Sequence, residues 1–176
     1  MSVDERMVHD IVQKVMANMQ ISGSVSGMHG VFKDMNDAIN ASIEAQKKVC
    51  TMTLDQREQI ISLIRKKTHE NAEILANMGV NETGMGNVGD KILKHHLTAD
   101  KVPGTEDIST IAWSGDRGLT LVEMGPFGVI GAITPATNPS ETVICNCIGM
   151  LAGGNTVVFN PHPNAKKTTI YTINMI

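Results

Sequence analysis

Between Gly125 and Pro163 the chain reads GPFGVIGAITPATNPSETVICNCIGMLAGGNTVVFNPHP, two strand-like runs and one helix-like run separated by tight punctuation. Few folds accept that order with so little loop. Phe127 to Thr134 is apolar on both parities and bounded by Gly and Pro, the pattern of a strand buried on both faces of a parallel sheet. Pro135 stops it. Pro139 suits the first turn of a helix, where its missing N–H is not needed, and Glu141 puts a negative charge near the positive end of the helix dipole. The helix is expected to run to about Ala152, with Gly153-Gly154 supplying the left-handed residue that ends it. Thr156 to Phe159 follows as a second strand, and Asn160-Pro161-His162-Pro163 breaks it. The unit is a βαβ crossover, right-handed by expectation.

Groups just past the carboxyl end of a strand in such a unit face the crevice where ligands bind. Here they are Thr134, Pro135, Ala136, Thr137 and Asn138 after the first strand, and Asn160 to Pro163 after the second. The glycine-rich dinucleotide fingerprint is missing, because Gly128 and Gly131 have the wrong spacing and lie inside the strand. Asn138 admits two readings. It caps the helix that Pro139 opens, or its amide donates N–H groups to a developing oxyanion without titrating.

TPATNP followed by a helix, then GNTVVFNPHP and Ala165-Lys166-Lys167, resembles the coenzyme A-acylating branch of the aldehyde dehydrogenase superfamily, especially the enzymes of bacterial microcompartments. The sequence NETGMG at 81–86, Asp90-Lys91, Pro103-Gly104, Glu106-Asp107, Ser114-Gly115-Asp116 and Gly118-Leu119-Thr120 fall where that family places similar residues. The fold this resemblance implies is α/β: an N-terminal helical region leading into the start of a Rossmann-type parallel sheet, left incomplete at Ile176. The activity it implies is NAD-dependent oxidation of a short-chain aldehyde to its acyl-CoA thioester, or the reverse.

The resemblance also implies site residues. Asn138 matches the family's oxyanion asparagine. Thr134, Pro135 and Ala136 would wall the nicotinamide of NAD. Hydrolytic relatives carry Lys-Pro-Ser-Glu near the adenosine ribose, whereas this chain has Asn160-Pro161-His162-Pro163, a departure shared by the acylating branch and suited to a pocket that must also accept coenzyme A. His162 reads equally well as a turn residue between two prolines. The implied mechanism is attack of a Cys thiolate on the aldehyde, hydride transfer to the nicotinamide, and release of the thioacyl enzyme by the coenzyme A thiol. That nucleophile is expected beyond Ile176. Cys145 and Cys147 do not match its motif and read as small buried packing residues.

The first 20 residues form a segment of their own. Ser2 to Glu5 has the form of a capping box, and Val3, Met7, Val8, Ile11, Val12, Val15, Met16 and Met19 recur at helical spacing. Residues 21–30 are Gly/Ser-rich and read as a flexible linker. A tethered amphipathic helix suits docking, and the resemblance implies a shell protein of a microcompartment as its partner. The alternative is that it packs back on its own domain or on a neighbouring subunit. Its polar face sets Asp4, Glu5 and Asp10 against Arg6, Lys14 and His9, which disfavours a membrane surface.

Residues 31–118 read as a helical scaffold. Asp34 to about Val49 is one helix. Thr53-Leu54-Asp55-Gln56 is a capping box opening a second, which runs towards Gly79 with Arg57, Glu58, Arg65, Lys66, Lys67, Glu70 and Glu73 as a solvated face. Gly84 and Gly86 make a tight structural turn, and Asn87 or Val88 to about Thr98 is a third helix. His95 and His96 are adjacent, hence about 100° apart and poor joint metal ligands; no metal site is expected. Residues 99–118 read as loop. Leu119 to Met124 reads as a strand, which in this family belongs to a bridging or oligomerisation sheet and so implies a homo-oligomer. Residues 125–176 are then the first part of the NAD-binding βαβ domain.

Composition narrows the partners. One Trp, one Tyr, three Phe and no Lys/Arg cluster argue against nucleic acid. Cys50, Cys145 and Cys147 show neither zinc spacing nor a disulfide framework, which favours reduced thiols in a cytosol. No apolar run reaches membrane-spanning length, and the amphipathic N-terminus lacks the apolar stretch of a signal peptide. Helical pattern from Ala165 continues to Ile176 without a cap, so the chain is expected to be the N-terminal part of a longer enzyme. The other readings are the aldehyde half of a bifunctional aldehyde–alcohol dehydrogenase, and an inactive fragment that only docks.

Overall fold

The structure, a computed structural model, describes residues 28–176. The docking helix expected at 1–20 and most of the linker expected at 21–30 lie outside the described residues. The end of that linker is a turn tied to the body of the protein, since His29 N–H donates to Asn174 Oδ1 at 3.1 Å.

Three helices come first. Helix α1 spans Met35–Val49 with Asp34 as N-cap, its side chain accepting from Asn36 N–H. Helix α2 spans Leu54–Thr83 and opens with both halves of the capping box between Thr53 and Gln56 in place. It runs one turn beyond Gly79 and stops at Gly84, whose φ of 68° closes the helix in the left-handed conformation. Helix α3 spans Val88–Lys101, capped by Asn87. The antiparallel hairpin that the sequence suggests between α1 and α2 is not the one that forms: α2 packs instead along α3, to which the glycine turn joins it.

The charged face assigned to α2 needs correction. Arg57 donates to the Ala152 carbonyl at 2.7 Å, and Arg65 donates to the carbonyls of Ala99 and Val102. Both guanidiniums therefore satisfy carbonyls at the ends of other helices, which otherwise lack partners. Glu82, in the last turn of α2, accepts from the backbone N–H of Lys167 and Thr168 and from the Thr168 hydroxyl, each at 2.7 Å.

The stretch expected as loop at 99–118 contains a strand, which corrects the all-helical scaffold drawn over 31–118. Strand β1, Ile111–Gly115, pairs antiparallel with β2, Gly118–Val122. All ten residues are exposed, so burial imposes none of the alternation by which a strand is usually recognised.

The βαβ unit forms as read. Strand β3 is Val129–Thr134, helix α4 is Pro139–Ala152, and β4 is Thr156–Pro161. The strands pair in parallel, with Val129 opposite Thr156 and Thr134 opposite Pro161. Asn160 and Pro161 thus continue the strand they were expected to break; Pro161 is tolerated because β4 is bonded on one side only. Burial on both faces of β3 does not hold. Ala132 and Thr134 are buried, but Ile133 is 84% exposed, since α1 and α4 pack mainly on β4. Gly154, not Gly153, takes the left-handed conformation, with φ 78°. A Cβ there would lie 3.1 Å from the Arg57 guanidinium.

Helix α5 spans Lys166–Met175 after a 3-10 turn at Pro163–Ala165. The core joins α2 to α4 through Ile61, Ile64, Leu75, Ile144, Ile148 and Ala152. Burial of a side chain of Leu or Ile size contributes about 1.5–3 kcal/mol, which fixes α4 and the loop before it on the helical hairpin. Among the described residues no helix is long and apolar enough to cross a membrane.

Candidate functional site

Parallel pairing brings the two strand ends to the same level, with Ile133 opposite Asn160 and Thr134 opposite Pro161. Thr134, Pro135 and Ala136 therefore lie beside Asn160, Pro161 and His162 at the carboxyl end of the sheet. Thr134 is 1% exposed, and among the described residues its Oγ1 has no hydrogen-bond partner. An orphaned buried hydroxyl costs about 1–3 kcal/mol, so its position at a strand end marks a polar group in need of a partner. His162 is turned to its own backbone, Nδ1 accepting from Asn164 N–H at 3.1 Å, in keeping with its reading as a turn residue.

Asn138 occupies the N-cap position of α4 but makes no side-chain cap bond. The helix takes its first bond through the Asn138 carbonyl, which accepts from Thr142 N–H at 3.0 Å. The side-chain Oδ1 instead accepts from Lys94 Nζ at 2.9 Å. Of the two readings of Asn138, capping by its side chain is the one the geometry rejects.

One turn earlier on α3, Lys91 donates to the Thr137 carbonyl at 2.9 Å and pairs with Glu141 Oε1 at 3.3 Å. Both side chains of that pair are 6% exposed. The stem of Lys91 runs past Gly86, where an added Cβ would lie 3.4 Å from Cε and φ is 77°. The glycine turn thus does two things: it reverses the chain and leaves room for the lysine. Sequence reasoning matched Lys91 to the family and gave it no role, and it passed over Lys94. The available signal was polarity on a buried stripe, because Lys91, His95 and Ala99 share the inward face of α3. A buried Lys requires an acid, and Glu141 stands in the apolar helix that α3 meets.

His95 extends this network. Its Nδ1 donates to the Lys91 carbonyl at 2.7 Å, and Nε2 lies 2.8 Å from Ser140 Oγ. The Ser140 hydroxyl is also 3.1 Å from Glu141 Oε2, so its single hydrogen serves one of the two at a time. Burial, opposed by the Glu141 carboxylate, pushes the His95 pKa below its ordinary 6.5. As pH falls the unfolded chain then takes up a proton before the folded one does. Stability is retained above about pH 6.5 and lost below it. Melting temperatures compared at pH 7.5 and 5.5 are expected to fall less in His95→Gln than in the native sequence; equal falls would assign the acid sensitivity elsewhere. His96 points away and meets His69, with the two Nδ1 atoms 2.7 Å apart, so the adjacent pair diverges as its spacing required.

The thiols are differently placed from each other. Cys145 is exposed, not buried as expected, because Ile144 and Ile148 take the inward face of α4. Cys147 packs against the core, and desolvation pushes its pKa up to about 12. At pH 8 roughly one such thiol in ten thousand is a thiolate, the reactive form. An alkylating reagent at pH 8 is expected to modify exposed Cys50 and spare Cys147, with Cys147 labelling rising about tenfold per pH unit while the fold persists. Comparable labelling of both at pH 8 would contradict this.

A cavity of about 850 Å³ lies along the free edge of β4, walled by Ala38 and Ser42 of α1, Val158 and Asn160 of β4, and Ile170 and Ile173 of α5. Asn160 and Pro161 reach it, but Asn138 and Thr134 do not, so this space is separate from the polar loop.

Residues 14–176 match the model of the aldehyde dehydrogenase family. The chain is 45% identical over 181 residues to an acetaldehyde dehydrogenase (acetylating) of Bilophila wadsworthia, covering 98% of this chain and 37% of that protein. Among solved structures it is similar to a propionaldehyde dehydrogenase from the fucose utilisation bacterial microcompartment of Clostridium phytofermentans, at 74% identity and TM-score 0.81, over 83% of this chain and 34% of that one. It also superposes on the Rhodopseudomonas palustris propionaldehyde dehydrogenase with bound propionyl-CoA, at 47% identity and TM-score 0.81, over 83% of this chain and 33% of that one. The chain thus spans about a third of the length of these relatives. With 163 of its residues inside the family model, counted from 14 to 176, the chain belongs to the aldehyde dehydrogenase family and is similar there to coenzyme A-acylating members.

Proposed function

We propose that this chain serves the NAD-dependent oxidation of a short-chain aldehyde to its acyl-CoA thioester, or the reverse, with Asn138 as a donor to the oxyanion. The observation that carries the reading is the Asn138 side chain, which sits at the strand-end loop and is not consumed by capping its helix. Likeness to an acetylating acetaldehyde dehydrogenase and to a propionaldehyde dehydrogenase with bound propionyl-CoA supports the substrate class. When bound, the nicotinamide supplies a hydride acceptor. Thr134, Pro135 and Ala136 would line its wall, where the free Thr134 hydroxyl fits a polar ligand, and Asn160, Pro161 and His162 would lie towards the ribose. Cys147, held as a neutral thiol, does not suit a nucleophile; by the resemblance to the acylating enzymes, whose nucleophile motif neither Cys145 nor Cys147 matches, the reactive Cys would come from outside residues 1–176.

The exposed β1–β2 hairpin, with Trp113, Leu119 and Leu121 uncovered, supports a homo-oligomer joined through this sheet, because an isolated two-stranded hairpin is marginal in water. Leu121→Glu is expected to shift the complete protein towards monomer in sedimentation, and an unchanged assembly would remove the hairpin from the interface. The amphipathic pattern of residues 1–20 supports docking to a microcompartment shell protein in the cytoplasm, testable by capture of shell protein on that peptide.

The deciding assay follows NADH formation from acetaldehyde and propionaldehyde by the enzyme that carries this chain, with and without coenzyme A. NADH that appears only with coenzyme A is expected. Equal rates without it would make the enzyme hydrolytic, and no turnover would leave Asn138 without a catalytic role.

A further inference from the structure

We infer that Lys94 is a positioning residue for Asn138, an inference that rests on the oxyanion reading above. A lysine ammonium carries three donors and no acceptor. Its contact with Asn138 at 2.9 Å therefore fixes which end of the amide faces it: Oδ1 is turned to Lys94 and Nδ2 is turned away. Among the described residues Nδ2 makes no hydrogen bond. The last torsion of an Asn side chain is broad and roughly two-fold, so without a partner the amide presents its oxygen about as readily as its nitrogen. An oxygen aimed at an oxyanion repels it.

Lys94 does not act alone. Lys91 and Lys94, three residues apart on one face of α3, hold consecutive residues of the loop, the first by the Thr137 carbonyl and the second by the Asn138 side chain. The Thr137 bond sets the backbone from which Asn138 projects, and the Lys94 bond sets the orientation of its amide. The nearby ammonium also draws charge from Oδ1 and strengthens the Nδ2–H groups as donors, as hydrogen-bonded groups polarise one another. Neither effect needs Lys94 to touch substrate.

The test is a kinetic cycle in the complete enzyme with Lys94→Met, Asn138→Ala and the double variant, and with Lys94→Arg as rescue. Lys94 is exposed, so Met retains the stem without opening the core. Loss of an entire oxyanion donor typically costs 10²–10³ in rate. Loss of its orientation is expected to lower kcat by about tenfold with the aldehyde KM little changed, because the bond matters only when charge develops. Lys94→Arg, which keeps a donor at that point, is expected to recover most of the rate. In the Asn138→Ala background Lys94→Met is expected to cost nothing further. Losses that multiply would show Lys94 acting independently of Asn138 and overturn the inference. An unaffected Lys94→Met beside a crippled Asn138→Ala would overturn the inference alone. An unaffected Asn138→Ala would remove the oxyanion reading and this inference with it.

Discussion

Replacing Lys91 by Met is expected to destabilise the protein by about 3–5 kcal/mol, the usual cost of leaving one member of a buried ion pair without its partner. Glu141 would be left 6% exposed, beside the Ser140 hydroxyl alone. Its place in the first turn of α4 moderates the loss, but a helix dipole contributes only about 0.3–1 kcal/mol, reaching about 2 in partly buried geometries. The deficit therefore remains. Thr137 also loses the donor to its carbonyl, for about another 1 kcal/mol. The measurement is the urea midpoint of Lys91→Met against the native sequence and against Lys91→Met/Glu141→Leu. The double variant is expected to recover most of the loss, because two apolar groups owe nothing to desolvation. A single-variant loss below about 1 kcal/mol, the surface-pair value, would mean that water reaches the pair.

Asn138→Ala in the complete enzyme is expected to lower kcat by about 10²–10³, with a much smaller change in aldehyde KM. The split follows from where the amide acts: it meets little charge in the bound aldehyde and a full negative oxygen once the carbonyl has been attacked. Stability provides the control. A capping Asn replaced by Ala costs about 0.5–2 kcal/mol, but among the described residues this side chain makes no cap bond and its hydrogen bond goes to an exposed lysine. The melting temperature of Asn138→Ala is therefore expected to change little while the rate collapses. A lowered melting temperature with an intact rate would restore the capping role and end the catalytic one.

What could be read from the sequence was local. The capping box at Thr53 and Gln56, the glycine turn at Gly84 and Gly86, the proline that opens α4 and the strand–helix–strand order all depend on residues within a few positions of each other. The end of β3 at Thr134 followed from the same punctuation, whereas β4 runs two residues past its expected end, to Pro161; the six residues proposed for the cofactor came from the family resemblance. The family resemblance singled out Asn138 where local pattern left it between two roles. Strand β2 was legible at Leu119 to Met124, but its partner β1 was missed, because none of its side chains is buried and burial imposes no periodicity on it.

The bonds that define the site join residues far apart in sequence. Lys91 reaches Glu141 across 50 positions and Lys94 reaches Asn138 across 44. Arg57 reaches the end of α4 across 95 and Glu82 the start of α5 across 85. Charge and spacing mark each of these side chains as polar, and the default for a polar side chain is solvent. Only the packing of α3 and α2 against α4 removes that default, by taking Lys91 out of water and requiring an acid for it. The sequence by itself thus determined the helices, the turns and the strands other than β1. Tertiary packing decided which of their polar groups are held in fixed partnerships, because desolvation, which forces those partnerships, exists only once the elements are in contact.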